Sequence, residues 1–215
     1  MNSTITRTVC NISSLIRSLL VVLAAVIAQP ATSEVLPLDG PGKLIDQFHA
    51  TLLTLMKSPQ ENNTRRRYNT LEPELMGKFD LNLMTAIATG NYWYAAQEGE
   101  RSRLTEAFRK FSTATYASRF SSYSGQSFKT LKVQAGPRKT QLVRTELQRP
   151  NASPIALTYV TRFAYSSWRI VDVLVNDGIS ELAVRRSEFQ RVLKTDGIKG
   201  LIQLLEEKTK KLLER

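Results

Sequence analysis

Apolar residues in the first half of the chain recur at the three- and four-residue spacing of amphipathic α-helices. Leu44, Phe48 and Leu52 form one such stripe. Asp80 is placed as an N-cap, and Ser102 precedes the longest helical pattern. The predicted helices cover residues 43–57, 64–71, 74–77, 81–88 and 102–120, with an interruption at Pro73. This half of the chain is therefore predicted to be mainly helical.

After residue 125 the pattern changes to alternating apolar and polar positions, which is typical of β-strands. In 155–163, for example, Ile155, Leu157, Tyr159 and Phe163 fall on one face. The predicted strands cover residues 128–134, 140–148, 155–163 and 168–175. Short turns between them predict a four-stranded antiparallel meander. Because helices come first and strands follow, the fold class is α+β and not an alternating parallel sheet.

The most informative segment is 168–193, where the period changes in the middle. Trp168 to Val175 reads as a buried strand, and Asn176-Asp177-Gly178 is a strong turn signal. Ser180 is placed as the N-cap of an amphipathic helix. That helix is predicted to break at Asp196-Gly197 and to be followed by another over 198–212.

The N-terminus has the order of a secretory signal peptide. Arg7 and Arg17 precede a ten-residue apolar run, 19–28, and small residues follow it. A transmembrane span needs about twenty residues, so we predict a signal peptide over 1–33. A cut after Ala28 and an uncleaved N-terminal anchor remain alternatives.

Residues 34–42 contain two prolines and two glycines and are predicted to be a linker, which leaves 43–212 as a single domain. The only cysteine, Cys10, lies before the apolar run, so the secreted domain is predicted to have no disulfide and no cysteine metal site. Removing Arg7 and Arg17 lowers the net charge from +11 to +9. Behind a signal peptide, this charge favours anionic lipid or an acidic protein partner over nucleic acid, although a solvated basic surface is an equally simple explanation.

Residues that could perform chemistry are few. His49 is the only histidine, and HExxH, CxxC, GxSxG, GxGxxG and P-loop motifs are all missing from the sequence. No metal site and no cofactor is therefore predicted. The exception is Asp172, an acid inside an apolar strand. It is either a general base of an isomerase-type enzyme, opposite Tyr159 or Tyr165, or a structural residue. In the second interpretation, which we favour, it pairs with Arg185 or accepts backbone N–H bonds near the following turn.

The aromatic and aliphatic stripes are more extensive than the polar ones. They form either an ordinary core or the lining of a cavity for acyl chains, in which a chain of about sixteen carbons gains on the order of 12 kcal/mol gross. The candidate lining residues are Phe48, Leu52, Phe79, Leu83, Ile87, Trp93, Phe108, Phe111, Val143, Leu147, Leu157, Tyr159, Phe163 and Ile170. A chain with many apolar candidate lining residues and few residues suited to catalysis is predicted to be a carrier rather than an enzyme.

Several segments, which follow one another along residues 44–205, together carry a resemblance to a known family. They are Tyr92-Trp93, the helix 104–120, Tyr123-x-Gly125, 168–173, 178–180, 185–189 and 197–202. The chain resembles the MlaC-type, or toluene-tolerance, family of periplasmic lipid-binding proteins, and within it looks closest to the hopanoid-associated HpnM branch.

The resemblance implies an NTF2-like, cystatin-like fold, with helices packed over the concave face of the sheet. It also implies a non-enzymatic carrier for a phospholipid or a hopanoid. Such a carrier would shuttle between an inner-membrane ABC transporter and an outer-membrane lipoprotein complex, with peripheral contact to anionic membrane. The alternatives that remain are the Asp172-dependent isomerase and an interaction module with a filled core.

Overall fold

Five helices precede the sheet in the part of the chain that the structure describes. The computed structural model describes residues 39–58, 63–176 and 178–214, so the predicted signal peptide lies outside the described residues. The helices are α1 (Asp39–Lys57), α2 (Thr64–Lys78), α3 (Leu81–Thr89), α4 (Asn91–Ala95) and α5 (Glu98–Arg119). None of the helices in these ranges combines the length and the apolar character that a membrane crossing requires.

Helix α1 begins at Asp39, so residues 39–42 of the predicted linker are helical. Pro41 is compatible with this start, because the N–H groups of a first helical turn have no partner within the helix. Gly40 lies against the indole of Trp168, and a Cβ there would be only 2.4 Å from its Nε1 atom. Glycine thus allows the beginning of α1 to pack closely on the sheet.

Two other helix boundaries also differ from prediction. Pro73 lies inside a continuous α2 and does not divide it. Leu71 and Leu75 on either side of it are fully buried, and α2 packs on α5, which offsets the cost of about 3 kcal/mol for an internal proline. Helix α5 begins before Ser102, because the Glu100 carboxylate accepts a hydrogen bond from the Gln97 N–H at 3.0 Å and stabilises an earlier start.

The sheet is antiparallel, with the strands side by side in chain order. Its strands are β1 (Ser127–Ala135), β2 (Thr140–Arg149), β3 (Ala152–Ala164), β4 (Ser167–Val175) and β5 (Ile179–Ser180). The predicted number of four strands is therefore wrong by one, although the α+β class is confirmed. The turn after Asn176 folds the chain back so that Ile179 and Ser180 pair with Val175 and Leu174.

Strand β4 contains a bulge. Val160 of β3 pairs with Asp172, but Thr161 pairs with Ile170, so Val171 is an extra residue. The buried positions are Trp168 and Ile170 before the bulge, Val171 in the bulge and Val173 after it. A regular strand that is buried on one face normally buries every second residue. The bulge shifts this alternation by one residue, which explains why both odd and even positions of this segment are apolar.

A last helix, α6 (Glu181–Leu213), packs on α5, α3 and β4. Gly197 interrupts it with φ 63° and ψ −162°, a conformation that only glycine adopts readily. This confirms the predicted break at Asp196-Gly197. The two halves of α6 therefore leave the break in different directions.

The core lies between α1 and the sheet and continues beneath α5. Phe48 of α1 makes edge-on contacts with Phe79 and Tyr116, with ring centroids 5.2 and 5.4 Å away. Such pairs add about 0.5–1.5 kcal/mol each to the burial of their surface. The aromatic cluster joins α1 to α5 and forms the floor from which the site is built.

Candidate functional site

A cavity of about 130 Å³ lies between α5, strands β3 and β4, and the beginning of α6. The end of α2 and the beginning of α3 also contribute to its lining. Its lining is mainly apolar: Leu75, Phe79, Leu81, Met84, Phe108, Phe111, Tyr116, Phe120, Leu157, Tyr159, Val173, Val175 and Leu182. The polar lining residues are Ser112, Thr115, Arg119, Asp172, Glu181 and Arg185.

Of the fourteen candidate lining residues, five line this cavity: Phe79, Phe108, Phe111, Leu157 and Tyr159. Four others, Phe48, Leu52, Val143 and Ile170, are fully buried in the core but do not reach the cavity. These residues face the same interior as the cavity-lining residues. The packing of the neighbouring side chains decides which of them borders the cavity. Contact of any of the fourteen with a ligand stays a prediction.

The remaining five candidates lie away from this cavity: Leu83, Ile87, Trp93, Leu147 and Phe163. Helix α3 buries Leu81, Thr85 and Ala88, which turns Ile87 towards solvent. Phe163 lies at the far end of β3, is 49% exposed and packs edge-on against Trp168. These five side chains do not line this cavity, because apolar character alone does not tell which face or which end of an element is covered, and their contact with lipid stays a prediction.

Sequence reasoning missed most of the lining from α5. Ser112, Thr115, Tyr116 and Arg119 all face the cavity. They continue the helical spacing that begins at Phe108 and Phe111, so the spacing itself was the available signal. The mixed polarity of this stretch concealed it.

One wall of the cavity contains a buried hydrogen bond between two neutral side chains. The Tyr159 hydroxyl lies 3.0 Å from Nε2 of His49, whose ring stacks on Phe128 with centroids 3.9 Å apart. Burial lowers the pKa of His49 to about 4, against the opposing effect of Asp46. Burial also raises the pKa of the Tyr159 hydroxyl well above its ordinary value. This wall is therefore uncharged at neutral pH.

Asp172 is a structural residue at the edge of the cavity. Its Oδ1 accepts hydrogen bonds from the N–H groups of Val173 (2.8 Å) and Leu182 (3.1 Å), and its Oδ2 accepts one from the Ser180 hydroxyl (2.6 Å). Ser180 in turn caps α6 by accepting from the Ala183 N–H at 2.8 Å. The prediction that Asp172 accepts backbone N–H bonds near the turn is confirmed.

The polar end of the cavity, here called the cavity rim (Arg119, Glu181 and Arg185), carries charge. Arg119 pairs with Glu181 at 3.3 Å. Arg185 pairs with Glu188 at 2.9 Å and lies over the Phe111 ring, 4.9 Å from its centroid. An apolar interior with a charged rim, in which each arginine is paired with a glutamate, is suited to a molecule with an apolar body and a polar end.

Metal chemistry has no support in the described parts of the chain. Across residues 39–58, 63–176 and 178–214, no three His, Cys, Asp or Glu side chains come together as a metal site.

Comparison with known proteins identifies the family. A family model described as MlaC protein matches residues 46–207, which is three quarters of the chain. The chain belongs to the MlaC family. Proteins of the MlaC family are periplasmic lipid-binding proteins, so the prediction of a non-enzymatic protein is confirmed by family membership.

The fold of this MlaC-family chain is similar to that of a solved phospholipid-binding protein from Ralstonia solanacearum. That protein was determined in complex with a phospholipid at 1.53 Å. The TM-score is 0.70 at 21% identity, over 80% of this chain and 98% of the other. This similarity shows a shared fold, while the hopanoid-associated branch and the NTF2-like detail stay predictions.

Proposed function

We propose that this protein is a phospholipid carrier that holds the acyl chains of its ligand between α5 and the sheet. The observation that carries the proposal is the apolar cavity under α5 with charged residues at its rim. Family membership and the phospholipid bound to the Ralstonia protein support the same ligand class. Each methylene moved from water into such a site gains about 0.8 kcal/mol.

The cavity has to open further to accept a whole acyl chain. Its volume of about 130 Å³ is close to that of engineered cavities that bind benzene. Sites for larger ligands typically measure about 300–1,000 Å³. Helix α5 or the first half of α6 is therefore expected to move away from β3 and β4 when lipid enters, with Gly197 as the break behind the moving half.

The place of action is the second part of the proposal. The predicted signal peptide and the periplasmic family support a periplasmic carrier. It would shuttle phospholipid, or a hopanoid, between an inner-membrane ABC transporter complex and an outer-membrane lipoprotein complex. A shuttle of this kind needs no cofactor, because binding and release are its only steps.

Residues near the cavity rim suit contact with an anionic membrane surface. Ile179 and Val184, on either side of Glu181, are 58% and 41% exposed. Tyr123, which follows Phe120 of the cavity lining, is 41% exposed and lies under the Lys57 ammonium at 4.9 Å. Exposed apolar and aromatic side chains beside cations are typical of a surface that meets lipid headgroups.

A transfer assay between vesicles tests the proposed carrier. Donor vesicles contain a labelled phospholipid, unlabelled acceptor vesicles are added, and transfer is followed with and without the protein. Wild type and Ser102→Trp, an exposed position of α5, are expected to accelerate transfer. Ser112→Trp places an indole in the cavity and should abolish it. If wild type binds lipid but transfers none, the carrier proposal is wrong.

A further inference from the structure

Two hairpin turns lie side by side at one end of the sheet. They connect β1 to β2 over residues 137–140 and β3 to β4 over residues 164–167. In an antiparallel meander the first and third connections lie at the same end of the sheet. Here Thr140 pairs with Arg162, and Arg162 pairs with Arg169. The two turns and these arginines are here called the turn end.

Both turns contain two consecutive residues with positive φ. The values are 53° and 60° for Arg138 and Lys139, and 52° and 59° for Tyr165 and Ser166. A hydrogen bond of 3.1 Å from the Thr140 N–H closes the first turn around its two central residues. Positive φ at both central positions is typical of a type I′ turn, in which Asn-Gly is favoured and most other residues are strained. Arginine, lysine and tyrosine in such positions point to a role of their side chains outside the fold.

The side chains of the two turns reach solvent. Tyr165 is 73% exposed, and Phe163, just before the second turn, is 49% exposed. Arg138 and Lys139 are also exposed, and neither forms an ion pair with an acid of the described residues. The turn end therefore presents aromatic rings next to cations.

The acids near the turn end do not balance its cations. Asp80 is buried and pairs with Arg162 at 3.3 Å. Arg169 donates to a neutral carbonyl group at the end of α2 at 3.1 Å and keeps its charge. Asp39 begins α1 at the same end of the sheet. Even with both acids counted, the four cations of the turn end leave it positive.

The turn end is separate from the cavity. Leu157 and Val175, which both line the cavity, pair with each other at the other end of the β3–β4 hairpin. Tyr159 is the lining residue of β3 nearest to the turn, and it lies six residues before Tyr165. Six residues of extended strand span about 20 Å. The turn end can therefore contact a partner without contact between that partner and the cavity.

We propose that the turn end is a docking surface for an anionic membrane. Tyrosine has an apolar ring and a polar tip, which suit the headgroup layer, and each Lys or Arg near an anionic surface adds attraction. A headgroup layer can close around projecting turns, whereas a protein partner needs a matching depression. Helix α1 begins here, so the chain that follows the predicted signal peptide enters the domain at this end. This end is therefore the first to meet the inner membrane during export.

The docking role goes beyond the proposed carrier function. Contact through the turn end holds the protein at a bilayer while the cavity rim stays away from that bilayer. The turn end thus recruits the carrier to a membrane, and exchange of lipid takes place at a different surface.

Replacement of the central turn residues by Asn-Gly tests the proposal in the full-length mature protein. The variants are Arg138→Asn/Lys139→Gly and Tyr165→Asn/Ser166→Gly. Both should unfold at a higher temperature than wild type, by at least about 2 °C, since strain is removed. Flotation measures binding to vesicles of phosphatidylcholine with phosphatidylglycerol. Binding should fall at least about 10-fold in the first variant, which loses two cations, and should also fall in the second.

A charge-matched control and a second readout complete the test. Lys194→Gln/Lys199→Gln removes two exposed cations of α6 and should bind the vesicles as wild type does. The proposal is wrong if wild type does not prefer these vesicles to phosphatidylcholine alone, if both turn variants bind as wild type does, or if the control loses as much. Lower stability of the turn variants would also overturn it, because the natural residues would then serve the fold. Wild type that binds vesicles but carries no lipid in native mass spectrometry would contradict the carrier and leave the docking surface standing.

Discussion

His49 is confined to its neutral form by its position between α1 and the sheet. Its side chain is buried, stacks on Phe128 and shares a hydrogen bond with Tyr159. Protonation there would place a charge in an apolar environment without an acidic partner in contact. The structure therefore shows an enclosed histidine on the inner face of α1.

A pH dependence of stability follows from this burial. Folded His49 has a pKa of about 4, against 6.5 for an ordinary histidine. Between these values the unfolded chain binds more protons, so the free energy of unfolding falls as the pH is lowered. We expect a loss of about 2 kcal/mol between pH 7 and pH 5 from this residue, measured by denaturant unfolding. His49→Gln should remove this loss. An equal decrease in the variant would show that other groups cause it.

Asp172 is expected to act on stability and not on ligand binding. Asp172→Asn removes one of the two carboxylate oxygens that accept from the β4–α6 junction. The free energy of unfolding should fall by about 2 kcal/mol, with lipid affinity retained. Asp196→Asn, an exposed aspartate bonded only to Thr195 among the described contacts, is the control. Normal stability with lost lipid binding would contradict this role.

The sequence predicted the role of a residue such as Asp172 better than it predicted which residues line the cavity. The anchoring role of Asp172 was accessible, since an acid beside a turn and a helix start has N–H donors nearby. The cavity positions were not. Phe163 and Tyr159 share a parity on β3, yet Tyr159 lines the cavity and Phe163 is 49% exposed. Which end of a strand is covered depends on contacts between distant elements, and single-sequence periodicity does not contain them.

At the scale of elements, Gly197 separates α6 into two helices. Its φ of 63° with ψ of −162° is strained for any residue with a Cβ. Gly197→Ala is expected to lower the free energy of unfolding by about 1–3 kcal/mol. Gly77→Ala, at a helical position where a Cβ meets nothing within 4 Å, should be neutral or slightly stabilising. Thermal unfolding of both variants makes the comparison, and equal effects would argue against strain at Gly197.

The order of elements was predictable, and their irregularities were not. Turn residues and period changes located the strands and the break in α6. The bulge at Val171 and the short strand β5 depend on how neighbouring strands pair across a turn, which the periodicity of a single strand does not contain. Likewise, Pro73 stops an isolated helix but not α2, because packing on α5 compensates for the lost hydrogen bond.

For the whole molecule, ligand binding and stability are expected to be linked through the cavity. A lipid that binds only the folded protein raises the free energy of unfolding by about 2.7 kcal/mol when free lipid is a hundred times its Kd. Thermal unfolding of delipidated wild type should therefore shift upward on addition of phosphatidylglycerol. Ser112→Trp, with the cavity filled, should show no shift. Equal stabilisation of both proteins would place the lipid elsewhere on the surface.

The central claim is that the apolar space under α5 holds one phospholipid. Native mass spectrometry of protein produced in a bacterial periplasm measures this directly, because the intact complex keeps its ligand. The account predicts the mass of the mature chain plus one phospholipid, with the lipid identified after its release. A mass corresponding to the bare chain alone, from protein that is folded and never exposed to detergent, would contradict it.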